Sequence, residues 1–247
     1  MFRRVMPFAG LLFLMLAGCT TSQQHAGADF KPPSGNYKLV VMRPDIAVSL
    51  LTAGGQLEQR EDWTNTAREE VLGALRQQQA RHGGETQVAH SWAEAGGTEA
   101  GAVELNRLHE VVGQSILLHK YLPYGALPTK KGVFDWTLGE LATDYGTASG
   151  YDYALFVFAR DSFSSGGRAA LQAVGFLGCL VGFCLVPSGG SQAAFASLVD
   201  LKTGNVVWFN FLASSVGDIR TPEGADAMVT KLLDKMKPAV TPNKKKA

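Results

Sequence analysis

The residue types that most often carry chemistry are sparse in this sequence and poorly spaced for it. Its five histidines and three cysteines include no Cys-x-x-Cys pair and no His-Glu-x-x-His, the spacings that turn ligands toward one metal ion. His109 and His119 fall on one expected helix, but at 1.5 Å per residue they stand about 15 Å apart, and His25, His82 and His90 have no partner in the sequence pattern. There is no Gly-x-Ser-x-Gly elbow. The runs Ser165-Gly166-Gly167-Arg168 and Ser188-Gly189-Gly190-Ser191 lack the Gly-Lys-Ser/Thr of a phosphate loop and read as hinges. The residues therefore specify no catalytic set, no cofactor and no metal site. One group qualifies as a candidate anion or partner site. Asp161 ends an expected central strand, where open α/β sheets place their ligands, and Arg160 and Arg168 lie near it in sequence; a strand-end salt bridge would explain the same residues. Cys179 and Cys184 are a candidate disulfide. They could pair across a four-residue turn in an oxidising compartment, whereas on one continuous helix they would point roughly 140° apart.

The elements that must position these residues alternate in type. Residues 37–42 (YKLVVM) and 46–51 (IAVSLL) read as strands, the first closed by Arg43-Pro44. Thr66 with Glu69 fits a capping box, followed by Val71, Leu72 and Leu75 on one helical face and a stop at Gly83-Gly84. Residues 86–92 alternate as a short strand. Leu105, Leu108, Val112, Ile116 and His119 mark a second helix ending before Pro123, and a third starts near Thr137 with Glu140 as its capping partner. Residues 153–159 (YALFVFA) are apolar on both faces, which places them centrally in a sheet covered on both sides. Residues 194–201 and 205–212 flank Lys202-Thr203-Gly204 and form a hairpin. Thr221 caps the last helix, Pro222 fits its first turn, and Pro238 ends it. The expected fold is one layered α/β domain, α+β-like, over residues 37–238: a mixed β-sheet, a C-terminal hairpin, flanking helices and a Gly-rich apolar insert over 166–191. Residues 239–247 are expected to form a Lys-rich disordered tail. The Trp and Tyr set (Trp63, Trp92, Trp136, Tyr121, Tyr124, Tyr151) offers stacking surfaces for glycan rings, although side chains of this kind usually serve the core or its edge.

Composition narrows the class. The chain of 247 residues carries 23 Lys and Arg against 22 Asp and Glu, is 46% hydrophobic and only 18% charged. It is too apolar for a disordered chain and too balanced for a nucleic-acid binder. The average hides unlike parts: a basic start, a mildly acidic body and the Lys244-Lys245-Lys246 tail. The start has a positive region (Arg3, Arg4), an apolar run over 5–17 and small residues before Cys19, which is the pattern of a secretion signal and is shorter than the roughly 20 residues that cross a bilayer. Leu16-Ala17-Gly18-Cys19 resembles the lipobox of bacterial lipoproteins. The resemblance implies cleavage of residues 1–18, a diacylglyceryl thioether on Cys19 and acylation of its new amino group, giving membrane attachment through several acyl chains. Thr20, where an aspartate would favour inner-membrane retention in Gram-negative bacteria, implies an outer-membrane protein facing the periplasm. Residues 19–36, rich in Pro, Gly and polar residues, are expected to act as a lipidated flexible tether.

The most unusual segment is 169–186 (AALQAVGFLGCLVGFCLV), in which Gln172 is the one strongly polar side chain. It either folds back over the sheet or projects as an exposed apolar loop that enters a membrane or docks on a partner. From Leu138 to Met236, and chiefly at residues 198–208 (LVDLKTGNVVW), the chain resembles the periplasmic domains of the curli-secretion channel and of lipoprotein activators of penicillin-binding proteins. The curli-channel resemblance implies a projecting insert, because that family extends hairpins from a similar domain to build a pore. The expectation is a non-enzymatic accessory or adaptor in envelope assembly or export, held to the membrane by lipid on Cys19. Its expected partners are an envelope protein and copies of itself, with no nucleic acid. Two other readings stand beside it: an oligomeric membrane-inserting channel component, and a glycan binder or enzyme acting at Asp161.

Overall fold

The computed structural model describes residues 21–26, 37–79, 85–122, 124–180, 184–213, 216–234 and 236. The elements run β1 (Thr21–Ala26), β2 (Lys38–Val41), β3 (Asp45–Leu51), β4 (Leu57–Gln59), α1 (Glu61–Gln79), β5 (Glu85–Val88) and α2 (Glu99–Ile116). They continue with α3 (Gly139–Ser149), β6 (Tyr153–Ser164), α4 (Gly166–Leu180), β7 (Gln192–Asp200), β8 (Val206–Ala213) and α5 (Pro222–Leu233). The fold is a mixed α/β architecture, as its alternation of periods implies.

Strand β6 organises it. Residues 154–159 are all buried, so this strand needs cover on both faces. Leu155, Val157 and Ala159 pack with residues of α1 and α5, and Ala154, Phe156 and Phe158 pack with residues of α2 and α3. On one side β6 pairs antiparallel with β7, from Tyr153↔Asp200 to Asp161↔Gln192. Strand β7 pairs antiparallel with β8, and β8 with β1. On the other side β2 and β3 both run parallel to β6, like two halves of one strand bent at Arg43-Pro44. Pro44 has no N–H to donate, which suits it to the break. Strand β5 extends the sheet beyond β2 and β4 extends it beyond β3.

The hairpin turn shows how local chemistry places a long-range contact. Asp200 Oδ1 accepts from the backbone N–H groups of Lys202 and Thr203, and Gly204 takes φ +72°, a conformation that suits glycine. The Gly204 carbonyl then accepts from Leu138 N and Thr137 Oγ1. Thr137 thus ties the turn to the start of α3, and its Oγ1 also accepts from Gly139 N. The helix itself has Leu138 at its N-cap position with no side-chain cap, a departure from the expected capping box with Glu140.

Three further expectations are corrected. Helix α1 begins at Glu61, five residues before Thr66, whose hydroxyl donates to Asp62 O inside the helix. Glu61 and Asp62 favour this earlier start because acidic groups suit the positive end of a helix. The second helix leaves α geometry after Ile116 and passes through a π turn over Leu117–Tyr121, which lets His119 Nδ1 meet Gly125 O at 2.7 Å. The tether expected over 19–36 is interrupted: Thr21–Ala26 lies along β8, from Thr21↔Ala213 to Ala26↔Trp208. An edge strand needs only backbone donors and acceptors, so this polar run joins the sheet without an apolar period to announce it. The tail 239–247 and the lipidation residue Cys19 lie outside the described residues.

The last helix begins as its sequence requires. Thr221 Oγ1 accepts from Gly224 N at 3.1 Å and donates to Asp218 O at 2.9 Å, with Pro222 in the first turn. Thr221→Ala is expected to cost about 1 kcal/mol, read as a fall of roughly 2–4 °C in Tm by thermal melting.

Candidate functional site

The strand end singled out by the sequence holds a buried polar network. Asp161 extends the face of β6 that carries Val157 and Ala159, and it is 6% exposed. Its Oδ1 accepts from Ser162 N and its Oδ2 from Gln192 Nε2, each at 2.8 Å. Gln192 in turn donates to Gly217 O and accepts from Val216 N, so the carboxylate and amide fasten the segment before α5 to the ends of β6 and β7. Burial pushes the Asp161 carboxyl up to about 6; the Gln192 and Ser162 hydrogen bonds and the charge of Arg220 pull it down, while Asp218 pushes it up. Arg220 donates to both carboxylate oxygens of Asp218 at 2.8 and 2.7 Å, and its guanidinium lies over Trp63 and Phe163 at 4.3 and 3.9 Å. A buried carboxyl raised in this way is the kind of group that can serve as an acid or base. Here both its oxygens are held by internal donors.

Arg160 and Asp161 are successive residues of a strand, so their side chains leave opposite faces of the sheet. Arg160 donates to Asp45 Oδ1 at 2.8 Å and Glu110 Oε1 at 3.3 Å, with its guanidinium 3.8 Å over Phe158. Arg168, at the start of α4, donates to the carbonyls of Ser188 and Ala53 and to Ser188 Oγ. The proposed grouping of Arg160, Asp161 and Arg168 is therefore three separate sets of contacts.

A His–Ser pair that the sequence spacing did not suggest lies in the core. His109 faces Ser197 Oγ through Nε2 at 2.8 Å and stacks on Phe156 at 4.4 Å. The distance is that of a base and its nucleophile, yet His109 is 3% exposed, Ser197 is fully buried, and desolvation pushes the imidazole down to about 3. The pair is a hydrogen bond packed within the core. No spacing in the sequence announces the pair, because the partner lies on β7, 88 residues away. Among the described residues no group of three His, Cys, Asp or Glu is placed to hold a metal ion.

The aromatic set divides between roles. Trp63 carries the guanidinium groups of Arg60 and Arg220 against its ring, and Trp92 lies under Arg43. Trp136 stacks with His119 and carries Lys130 at 4.5 Å, beside a cleft of about 180 Å³. Burial raises the Tyr121 phenol, which packs against Phe209 and Phe211, and Tyr124 is fully exposed.

The insert is the outlier. Helix α4 turns Arg168, Gln172, Gly175, Gly178 and Cys179 inward and Leu171, Val174, Phe176 and Leu177 outward. Its inner face is made for its own returning chain: Gln172 donates to Pro187 O and Arg168 to Ser188 O, and a side chain at Gly175 would strike Leu185 O. Cys179, in the last turn, is joined by a disulfide to Cys184 in the return, with Cα atoms 4.0 Å apart. The outward apolar side chains remain uncovered. Val174, Phe176 and Leu177 are each 65% exposed and Leu185 is 84% exposed. A helix on a soluble protein ordinarily does the reverse.

No protein-family model and no curated protein sequence matches the chain. Among solved structures, the PelC dodecamer from Paraburkholderia phytofirmans is similar at 13% identity and TM-score 0.38, over 88% of this chain and 97% of that one. A DUF4136 family protein from Bacteroides thetaiotaomicron is similar at 10% identity and TM-score 0.34, over 87% and 95%.

Proposed function

We propose that the protein is an outer-membrane lipoprotein, acylated at Cys19 and facing the periplasm, that serves as a non-enzymatic accessory or adaptor in envelope assembly or export. The observation that carries this reading is the contrast between the two candidate sites. At the strand end the polar groups of Asp161, Gln192, Asp218 and Arg220 bond to one another and to the backbone, whereas the insert presents unpaired apolar surface. Such a surface adheres, and the signal-like segment ending in Leu16-Ala17-Gly18-Cys19 supplies an anchor for a protein that works by adhesion.

The test combines location with complementation. Cys19→Ala is expected to abolish palmitate incorporation and to move the protein out of the outer-membrane fraction. In a strain lacking the gene, the wild type and Asp161→Ala should restore whatever export or barrier defect the deletion causes, and Cys19→Ala should not. Failure of a folded Asp161→Ala variant to complement would transfer the function to the strand-end carboxylate.

A further inference from the structure

We infer that α4 is a second membrane contact, lying in the bilayer interface beside the lipid on Cys19; the inference rests on the anchoring reading above and goes beyond it. Four observations meet at one end of the sheet. Strand β6 runs from Tyr153 toward Ser164 and passes directly into α4 at Gly166. By register, that end of β6 lies beside the start of β7 (Asp161↔Gln192), the start of β7 lies beside the end of β8 (Ala193↔Ala213), and the end of β8 lies beside the start of β1 (Ala213↔Thr21). Thr21 and the base of α4 therefore leave the same end, three strand spacings or about 15 Å apart. Cys19 precedes Thr21 by two residues, a reach of about 7 Å at most. Acyl chains on Cys19 would bring this end of the sheet to the bilayer.

The chemistry of α4 fits lipid better than a folded partner. Its outward face, Leu171, Val174, Phe176 and Leu177, offers no hydrogen-bonding side chain, and protein interfaces ordinarily carry a hydrogen bond for every 100–200 Å² or so. Lipid asks instead that backbone polar groups be satisfied from within. The interior of the helix does this for itself, and Gln172 and Arg168 donate to carbonyls of the return segment at Pro187 and Ser188. Apart from Gln172, which is turned inward to Pro187 O, the side chains become polar at the base, with Arg168 and Ser188, where the segment would meet the headgroups. At 15 residues α4 is about 22 Å long, and among the described residues no helix is long and apolar enough to cross a membrane. It would lie in one leaflet. Tethering by Cys19 makes this second contact intramolecular, so modest intrinsic affinity suffices. Two attachment points also set orientation: the β7–β8 turn at Lys202-Thr203-Gly204, at the opposite end of the sheet, faces away from the bilayer.

The test uses the full acylated protein carrying Phe176→Trp, reconstituted into vesicles of phosphatidylethanolamine and phosphatidylglycerol (3:1) with brominated acyl chains. The introduced tryptophan is expected to be quenched at least twofold, and adding Val174→Asp with Leu177→Asp should remove the quenching while the protein stays vesicle-bound. No quenching in a protein whose Cys19 is shown by mass to be acylated would overturn the inference. If Cys19 proves unmodified, the anchoring reading fails and α4 is judged from the unlipidated chain. Its sedimentation with the same vesicles should fall at least tenfold in the Asp pair, and an unchanged partition would overturn the inference. Self-association without lipid that the Asp pair abolishes would assign the face to a second copy and overturn it equally.

Discussion

Gly113→Ala is expected to lower stability by about 2–3 kcal/mol, or roughly 5–10 °C in Tm, although alanine is the better helix former by about 1 kcal/mol. Gly113 lies in the interior of α2 and is buried, and a Cβ there would fall within the ring of Phe195. That ring has nowhere to go. It is stacked on Phe158 at 4.5 Å and on Phe209 at 5.4 Å, with His109 tilted against it at 5.5 Å. Gly73→Ala in α1 is the matched control, because a Cβ at Gly73 meets nothing within 4 Å. It should gain about 0.5–1 kcal/mol. Urea midpoints moving in opposite directions for the two variants would support the packing argument, and parallel shifts would refute it. Adding Phe195→Leu to Gly113→Ala should recover part of the loss.

The second large effect concerns acid. His109 sits near 3 in the folded protein against 6.5 unfolded. Below pH 6.5 the unfolded chain takes up a proton that the folded one refuses, so stability falls by about 1.4 kcal/mol per pH unit down to about pH 3. Asp161 acts in the opposite sense: with its carboxyl raised from 3.8 to about 6, the folded state holds the extra proton, and stability rises as pH falls from 6 to 3.8. In the shared window the two slopes offset. Relative to the wild type, Asp161→Asn should therefore lose a further ~3 kcal/mol between pH 6 and pH 4, whatever its offset at pH 7. His109→Leu should move the other way by a similar amount over that range, and Ser197→Ala added to it should relieve the unpaired hydroxyl that the single variant leaves. Urea unfolding at pH 7, 6 and 4 reads both trends. Acid limbs that run parallel for the two variants would show that neither group is displaced as its burial requires.

Much of the framework could be read from residue patterns. Residues 153–159 announced a central strand because a run apolar on both faces has no solvated way to lie, and Thr221-Pro222 announced a helix start because their chemistry is local. Helix α2 was legible only in part. Its period suggested a stripe through Leu108 and Val112, which are partly covered, while the fully packed stripe also includes His109 and Gly113. A polar ring and a glycine carry no apolar signal, and what makes them core residues is Phe195, Phe156 and Ser197 arriving from strands distant in sequence.

The same division runs through the candidate site. The sequence by itself determined the α/β class, the hairpin, the signal-like pattern ahead of Cys19 and the existence of an apolar insert between two strands, because each follows from periodicity or from residue type at close spacing. Only the tertiary structure decided that Arg160 and Asp161 serve opposite faces of the sheet, and that Asp161 is held by Gln192. The tertiary structure alone also placed the polar run Thr21–Ala26 along β8 and turned the apolar side of α4 outward, at the end of the sheet from which the chain leads back to Cys19. Those outcomes depend on strand register and on which partner reaches a side chain first, and neither is written in the local order of residues.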